Sequence, residues 1–288
     1  MSLYLADYRV IEKLGTGANS DIYCVEHLET GELRAAKYVR INEEDEKKFL
    51  EQLRAEQATG QSLDHPVLRK IYDLRQIRKR LRIQAAVLLM EYVDGVPMSH
   101  SEFRPELPRL LGYFRLVAEG LQVMHHSGYV HADLKPGNMI VTRDDRVKLI
   151  DYGQSSAMMH AKERIQGTMD YMAPEQARRS VLDQRTDVFG LGATLFKLLT
   201  GRAVTTEMNK VASLHMPSRI GRRLSELKRP ISDDIPTCVA RLMEDCIKSE
   251  PVERLADMRA VINRIDLTLT ILDHQRQQHG GTGSAHTG

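Results

Sequence analysis

Charge of one sign is scarce in this chain. Its 41 Lys and Arg face 39 Asp and Glu, a formal net charge of +2. That balance excludes the strong basic excess of a dedicated nucleic-acid binder. Cysteine is scarce too. Cys24, Cys238 and Cys246 lie far apart or at C-x7-C spacing, which is neither a disulfide framework nor a metal-ligand pattern. A reducing compartment follows. No apolar run approaches the roughly 20 residues of a membrane span, and the start, MSLYLADYRVIEKL, lacks the basic-then-apolar order of a signal peptide. These absences lead us to expect a cytoplasmic protein with no membrane span and no nucleic-acid partner. What is present is ordinary for a globular chain: 288 residues, 42% hydrophobic and 28% charged, enough to bury a large core.

Periodicity divides the chain. Short strand-like runs cover residues 8–14, 21–27 and 32–39, joined by GTGANS and by Thr30-Gly31. Asn42 followed by Glu43, Glu44 and Asp45 reads as a helix start, with an inward stripe of Phe49, Leu53, Glu56 and Gly60. Two more strands are expected over 71–77 and 81–90. After Asp94-Gly95 the pattern turns helical: Leu107, Leu110, Phe114, Val117, Leu121 and Met124 share one face, ended by Gly128. A hairpin over 139–141 and 147–150 turns at Asp144-Asp145. Residues 187–200 are apolar on nearly every face, the mark of a buried core helix. The expected parts are 1–92, 93–272 and a flexible tail, 273–288, that closes on GGTGSAHTG.

The strongest chemical signal is His131-Ala132-Asp133-Leu134-Lys135-Pro136-Gly137-Asn138, between a helix and a hairpin. An acid, a cation and an amide within six residues suit phosphoryl transfer. Asp133 can accept a hydroxyl proton, Lys135 can meet the transferring phosphate, and Asn138 can ligate a hard cation. A polar loop that only turns the chain is the plain alternative, and the full octet argues against it.

The octet resembles the catalytic loop of the protein kinase family, with Lys135-Pro136 as in its serine/threonine branch. Asp151-Tyr152-Gly153, 18 residues after Asp133, is similar to the family's D-F-G. The resemblance implies that Asn138 and Asp151 bind Mg2+ and that Asp151 holds it against the ATP phosphates. Gly15-Thr16-Gly17-Ala18-Asn19-Ser20 lies between two strands, as a kinase glycine-rich lid does, although Ser20 replaces the third glycine. Ala35-Ala36-Lys37 resembles the strand lysine, and Glu56 on the helix stripe is its implied partner, since a buried carboxylate needs a cation. Gly167-Thr168 and Ala173-Pro174-Glu175 resemble the end of the activation segment. Thr168 joins the implied catalytic set of Asp133, Lys135, Lys37 and Glu56. Arg254 is implied as the partner of Glu175, and Asp187 as the residue that holds the catalytic loop. Carried over in the same way, Leu14, Gly15, Thr16, Gly17, Ala18, Ile22, Ala35, Met90, Glu91, Val93 and Ile140 surround the nucleotide. Met90 is then the gatekeeper, while the Glu91 carbonyl and the Val93 amide bond the base.

The implied fold is α+β and two-lobed, with an N-terminal antiparallel sheet plus one helix and a mainly helical C-terminal lobe. The implied activity is ATP- and Mg2+-dependent phosphorylation of serine and threonine in protein substrates, of the bacterial eukaryotic-like type. A nucleotide-binding pseudokinase scaffold and a small-molecule phosphotransferase are the alternatives. Lys37, Glu56, Asp133, Asn138 and Asp151 speak against the first, and Ala173-Pro174-Glu175 against the second. Two departures bear on control. Ala132 replaces the arginine that normally pairs with a phosphorylated activation loop, and the 154–166 stretch has hydroxyls only at Ser155 and Ser156. Gly60 stands where family members carry a bulky apolar residue. The expectation is a loosely packed helix, controlled by a regulatory partner or a second copy of the chain docking on it, with activity independent of activation-loop phosphorylation.

Overall fold

The computed structural model describes residues 7–17, 19–42, 46–80, 82–162, 164–204 and 235–280. The expected helix start at 43–45 and Ala18 lie outside the described residues. The chain forms two compact units, Met1–Val96 with Ile140–Ser155, and Pro97–Met139 with Ser156–Gly288. The hairpin therefore belongs mostly with the first unit, whereas the sequence had grouped it with 93–272.

In the first unit β1 (Tyr8–Thr16), β2 (Ser20–His27) and β3 (Leu33–Arg40) precede α1 (Glu46–Gln61). Then come β4 (Ile71–Lys79) and β5 (Arg82–Glu91). The five strands form an antiparallel sheet in the order β1-β2-β3-β5-β4. Because side chains alternate across a strand, Ala36 and Tyr38 join Val25, Val87 and Leu89 in one core layer. Ala35 and Lys37 take the opposite face, beside their cross-strand partners Met90 and Leu88. That alternation delivers Lys37 to the same face as Ala35.

Helix α1 buries Leu50, Leu53, Glu56, Thr59 and Gly60. Gly60 does not leave a void. A Cβ added there would lie 2.4 Å from Ile71 Cδ1 and 2.5 Å from its Cγ1. The expectation of an underpacked helix is therefore corrected: Ile71 at the start of β4 fills the space. The hairpin of Met139–Thr142 and Val147–Leu149 turns through Asp145 at φ 63°. The strand Gly95–Pro97 passes so near it that a Cβ on Gly95 would meet Val141 O at 2.3 Å.

The second unit holds α2 (Leu107–His126), α3 (Pro174–Ala177), α4 (Gln184–Thr200), α5 (Thr237–Cys246) and α6 (Met258–Gly280). Helix α2 carries a proline in its first turn, where no N–H is missed, and Gly128 follows its end at φ 84°. Helix α4 is capped by Asp183, which accepts from Arg185 N at 2.8 Å. Residues 186–195 are buried on every face, as the apolar run required. Helix α6 ties to α2 through Arg115 and Asp266 at 2.7 Å. It continues to Gly280, so residues 273–280 are helical where a flexible tail was expected; 281–288 lie outside the described residues. Among the described residues no helix is long and apolar enough to cross a membrane.

Candidate active site

Lys37 reaches α1 from β3. Its Nζ donates to both Glu56 oxygens, at 2.9 and 2.8 Å, and stands 3.4 Å from Asp151 Oδ1. Glu56 is 2% exposed. Burial works against the charge on Lys37, but Glu56 and then Asp151 outweigh it and hold the ammonium above its ordinary pKa. Asp151 sits at φ 69°, a left-handed conformation that aspartate tolerates better than most residues. Its Oδ1 also accepts from Gly153 N at 3.2 Å. Between them Tyr152 is buried, and the hydroxyl that distinguishes it from phenylalanine donates to the Arg69 carbonyl at 3.0 Å.

The residues expected around the base also fall in the first unit. Ala35 and Met90 are buried register partners, Ile22, Val93 and Ile140 are half-buried, and Leu14 is exposed. Gly15 and Thr16 end β1, and Gly17 N closes a tight turn on Ser20 O at 2.7 Å. A Cβ at Gly15 would meet nothing within 4 Å, so the backbone there is open to a phosphate. Glu91 turns its carboxylate to Lys148 Nζ at 2.6 Å.

In the second unit the loop after the strand Tyr129–Val130 is pinned from below. Asp187 accepts from His131 N at 2.8 Å, Ala132 N at 2.9 Å and His125 Nε2 at 2.8 Å. Burial raises its pKa, but these partners, His125 foremost, bring it below the ordinary carboxylate value. Held so, Ala132 takes φ 60° and Asp133 is presented with four donors around it. Oδ1 accepts from Thr168 N and Thr168 Oγ1, each at 2.8 Å. Oδ2 accepts from Lys135 Nζ at 2.6 Å and from Asn138 Nδ2 at 3.3 Å. Lys135 Nζ also reaches Thr168 Oγ1 at 3.0 Å. Asn138 spends its Nδ2 on Asp133, so its Oδ1 is the atom left for a cation.

Arg254 grips Glu175 with two bonds, 2.7 and 2.8 Å, and stacks over Phe189 at 4.9 Å. Sequence reasoning missed several supporting residues. Gln176 Nε2 donates to the Ala132 carbonyl at 2.8 Å, Thr186 Oγ1 bonds Glu175, and His125 bonds Asp187. Lys162, on the segment before Gly167, is pushed by burial down to about 8 against the opposing pull of Asp133 and Asp187. Arg69 is buried in the first unit and donates from Nε to the Glu91 carbonyl at 2.9 Å. An Arg-Lys pair reads as surface charge, so nothing in the local pattern marked it.

The family model described as protein kinase domain matches residues 8–264. The chain belongs to the protein kinase family. An Aurora kinase of Eremothecium gossypii is 29% identical over 88% of this chain, and one of Saccharomyces cerevisiae is 32% identical over 78%. The serine/threonine-protein kinase PknA of Mycobacterium tuberculosis is 27% identical over 86%. The chain spans 67%, 64% and 58% of the length of these relatives. It has the family's two-lobed α+β fold, and the family uses ATP and a divalent metal.

Proposed function

We propose that this kinase transfers the γ-phosphoryl group of Mg2+-bound ATP to serine and threonine hydroxyls of protein substrates, with Asp133 as the base. The observation that carries the reading is the Asp133 carboxylate, buried yet set among Thr168, Lys135 and Asn138. A substrate hydroxyl gives its proton to Asp133 as its oxygen bonds phosphorus, and the β,γ P–O bond breaks to release ADP. Lys135, beside Asp133, supplies positive charge to the transferring phosphoryl oxygens. Thr168 orients the carboxylate through two bonds.

The residues present fit the nucleotide and the metal. Ala35 and Met90 offer an apolar slot for a base, Lys37 an ammonium for phosphates, and Gly15 an open backbone. Asp151 and Asn138 offer hard oxygen donors of the kind Mg2+ takes. Among the described residues no three His, Cys, Asp or Glu side chains form a metal cluster. A divalent ion held by these oxygens would neutralise charge that develops on the phosphates. With Ile71 filling the space at Gly60 and Glu56 already bonded to Lys37, control by a partner or second copy on α1 no longer follows from packing. The cysteines Cys24, Cys238 and Cys246 are free, which supports a cytoplasmic setting.

Metal dependence tests the reading. Excess EDTA should abolish γ-phosphate transfer to a generic protein substrate, and added Mg2+ should restore it. Asp151→Asn should stay low at saturating Mg2+ while melting as a folded protein. Transfer that survives chelation would contradict the assignment.

A further inference from the structure

The turn that carries Asp151 is strained, and it is held from several sides. Asp151 takes φ 69°, and a left-handed conformation away from glycine persists only where its surroundings enforce it. Gln52 Nε2, from α1, donates to the Gly153 carbonyl at 3.3 Å, and Ser155 N closes on the Tyr152 carbonyl at 2.9 Å. The Tyr152 side chain is 2% exposed and adds a bond that phenylalanine cannot make: its hydroxyl donates to the Arg69 carbonyl at 3.0 Å. That carbonyl is part of a fixed frame. Arg69 N donates to Leu149 O at 3.1 Å, and Leu149 N to Val67 O at 2.7 Å. Arg69 Nε donates to the Glu91 carbonyl, at the end of β5, at 2.9 Å.

The hydroxyl bond exists in one arrangement of the turn and is lost in any other, so it biases the turn toward that arrangement. In it, Asp151 Oδ1 stands 3.4 Å from Lys37 Nζ and accepts from Gly153 N at 3.2 Å. The turn also packs directly against the ion pair: a Cβ on Gly153 would lie 3.1 Å from Asp151 Oδ1 and 3.3 Å from both Glu56 Oε2 and Lys37 Nζ. A shift of Tyr152 would break its bond to Arg69 and move the adjacent Asp151 away from Lys37. One hydrogen bond between buried neutral groups changes such an equilibrium by about 3- to 10-fold. We propose that Tyr152 is a positioning residue: through the Arg69 carbonyl, its hydroxyl holds the Asp151 carboxylate in place for the divalent ion before nucleotide binds. The inference rests on the reading of Asp151 as a metal ligand. Its consequence is that less of the ion's binding energy goes into ordering the turn.

The test compares the whole chain with Tyr152→Phe, which keeps the ring and removes only the hydroxyl. Amide hydrogen exchange is read at Gly153 and Ser155 without nucleotide, and the Tm shift produced by ATP is titrated with Mg2+. In Tyr152→Phe both amides should exchange about 3- to 10-fold faster, with the amides of α2 unchanged. The Mg2+ concentration that gives half of the Tm shift should rise at least about twofold, while the shift from ATP in EDTA stays the same. Faster exchange with an unchanged Mg2+ requirement would make Tyr152 a structural residue only and overturn the proposal. Unchanged exchange at both amides would overturn it too, and either result leaves the metal reading standing. Should Tyr152→Phe not fold, the wild type decides: Gly153 and Ser155 must be as protected as Leu149 without nucleotide, and rapid exchange there overturns the proposal. A wild-type Tm shift from ATP that does not respond to Mg2+ would overturn both the proposal and the metal reading.

Discussion

Buried charges at the residue scale show two outcomes. Asp187 is 1% exposed, yet three donors meet its two oxygens, so its charge is retained and fixes the loop that carries Asp133. For Lys162 burial wins, and its pKa falls from 10.5 to about 8 despite Asp133 and Asp187. The sign follows by linkage. Between about pH 8 and 10.5 the unfolded chain keeps a proton that the folded chain has released, so stability rises with pH across that window. Below pH 8 the charged lysine is a constant cost. Lys162→Met should therefore raise Tm at pH 7 and flatten the rise between pH 8 and 10.5. Melts over that range check it, and an unchanged slope would refute the assignment. Ala132 bears on control at the same scale. Its side chain lies in an apolar cluster with Val130 and Leu182, so this position offers a phosphate nothing to hold. Ser156 sits in a strand paired with Val130, and the Ser155 hydroxyl is buried without a hydrogen-bond partner among the described residues. Phosphatase-treated enzyme and a Ser155→Ala, Ser156→Ala variant should both keep most of their turnover. A large loss in both would show that phosphorylation is required.

Among the elements, α1 shows how a glycine can be a packing requirement. Alanine at position 60 would gain about 1 kcal/mol of helix propensity. Its Cβ would meet Ile71 at 2.4 Å, and Ile71 is β-branched and stiff. Overpacking of this kind costs about 1–3 kcal/mol. Gly60→Ala should thus lower Tm, and Ile71→Val in the same chain should recover part of the loss; a higher Tm for Gly60→Ala alone would contradict the packing. Because Glu56 rides on the same helix, turnover should fall with it. Helices α5 and α6 were not legible in the sequence. The buried stripe of α6, with Val261, Ile265, Thr268 and Leu272, is interrupted by a threonine, and its last turns are polar on every side. Those turns stay helical because extending a packed helix is far easier than starting one.

For the molecule as a whole, residues legible in the sequence are those whose chemistry is concentrated in short runs. His131 to Asn138 and Asp151 to Gly153 carry their meaning locally, and alternating strands place Lys37 opposite Ala36. Arg69, Gln176 and His125 were not legible. Their partners are the Glu91 carbonyl, the Ala132 carbonyl and Asp187, at separations of 22, 44 and 62 residues that only folding closes. The central claim is that Asp133 takes the proton of the substrate hydroxyl. The most direct measurement is the rate of γ-phosphate transfer by Asp133→Asn beside the wild type, at saturating Mg2+ and ATP, with melts showing that both are folded. A loss of about 10²–10⁴-fold is expected. A folded Asp133→Asn with near-normal turnover would contradict it.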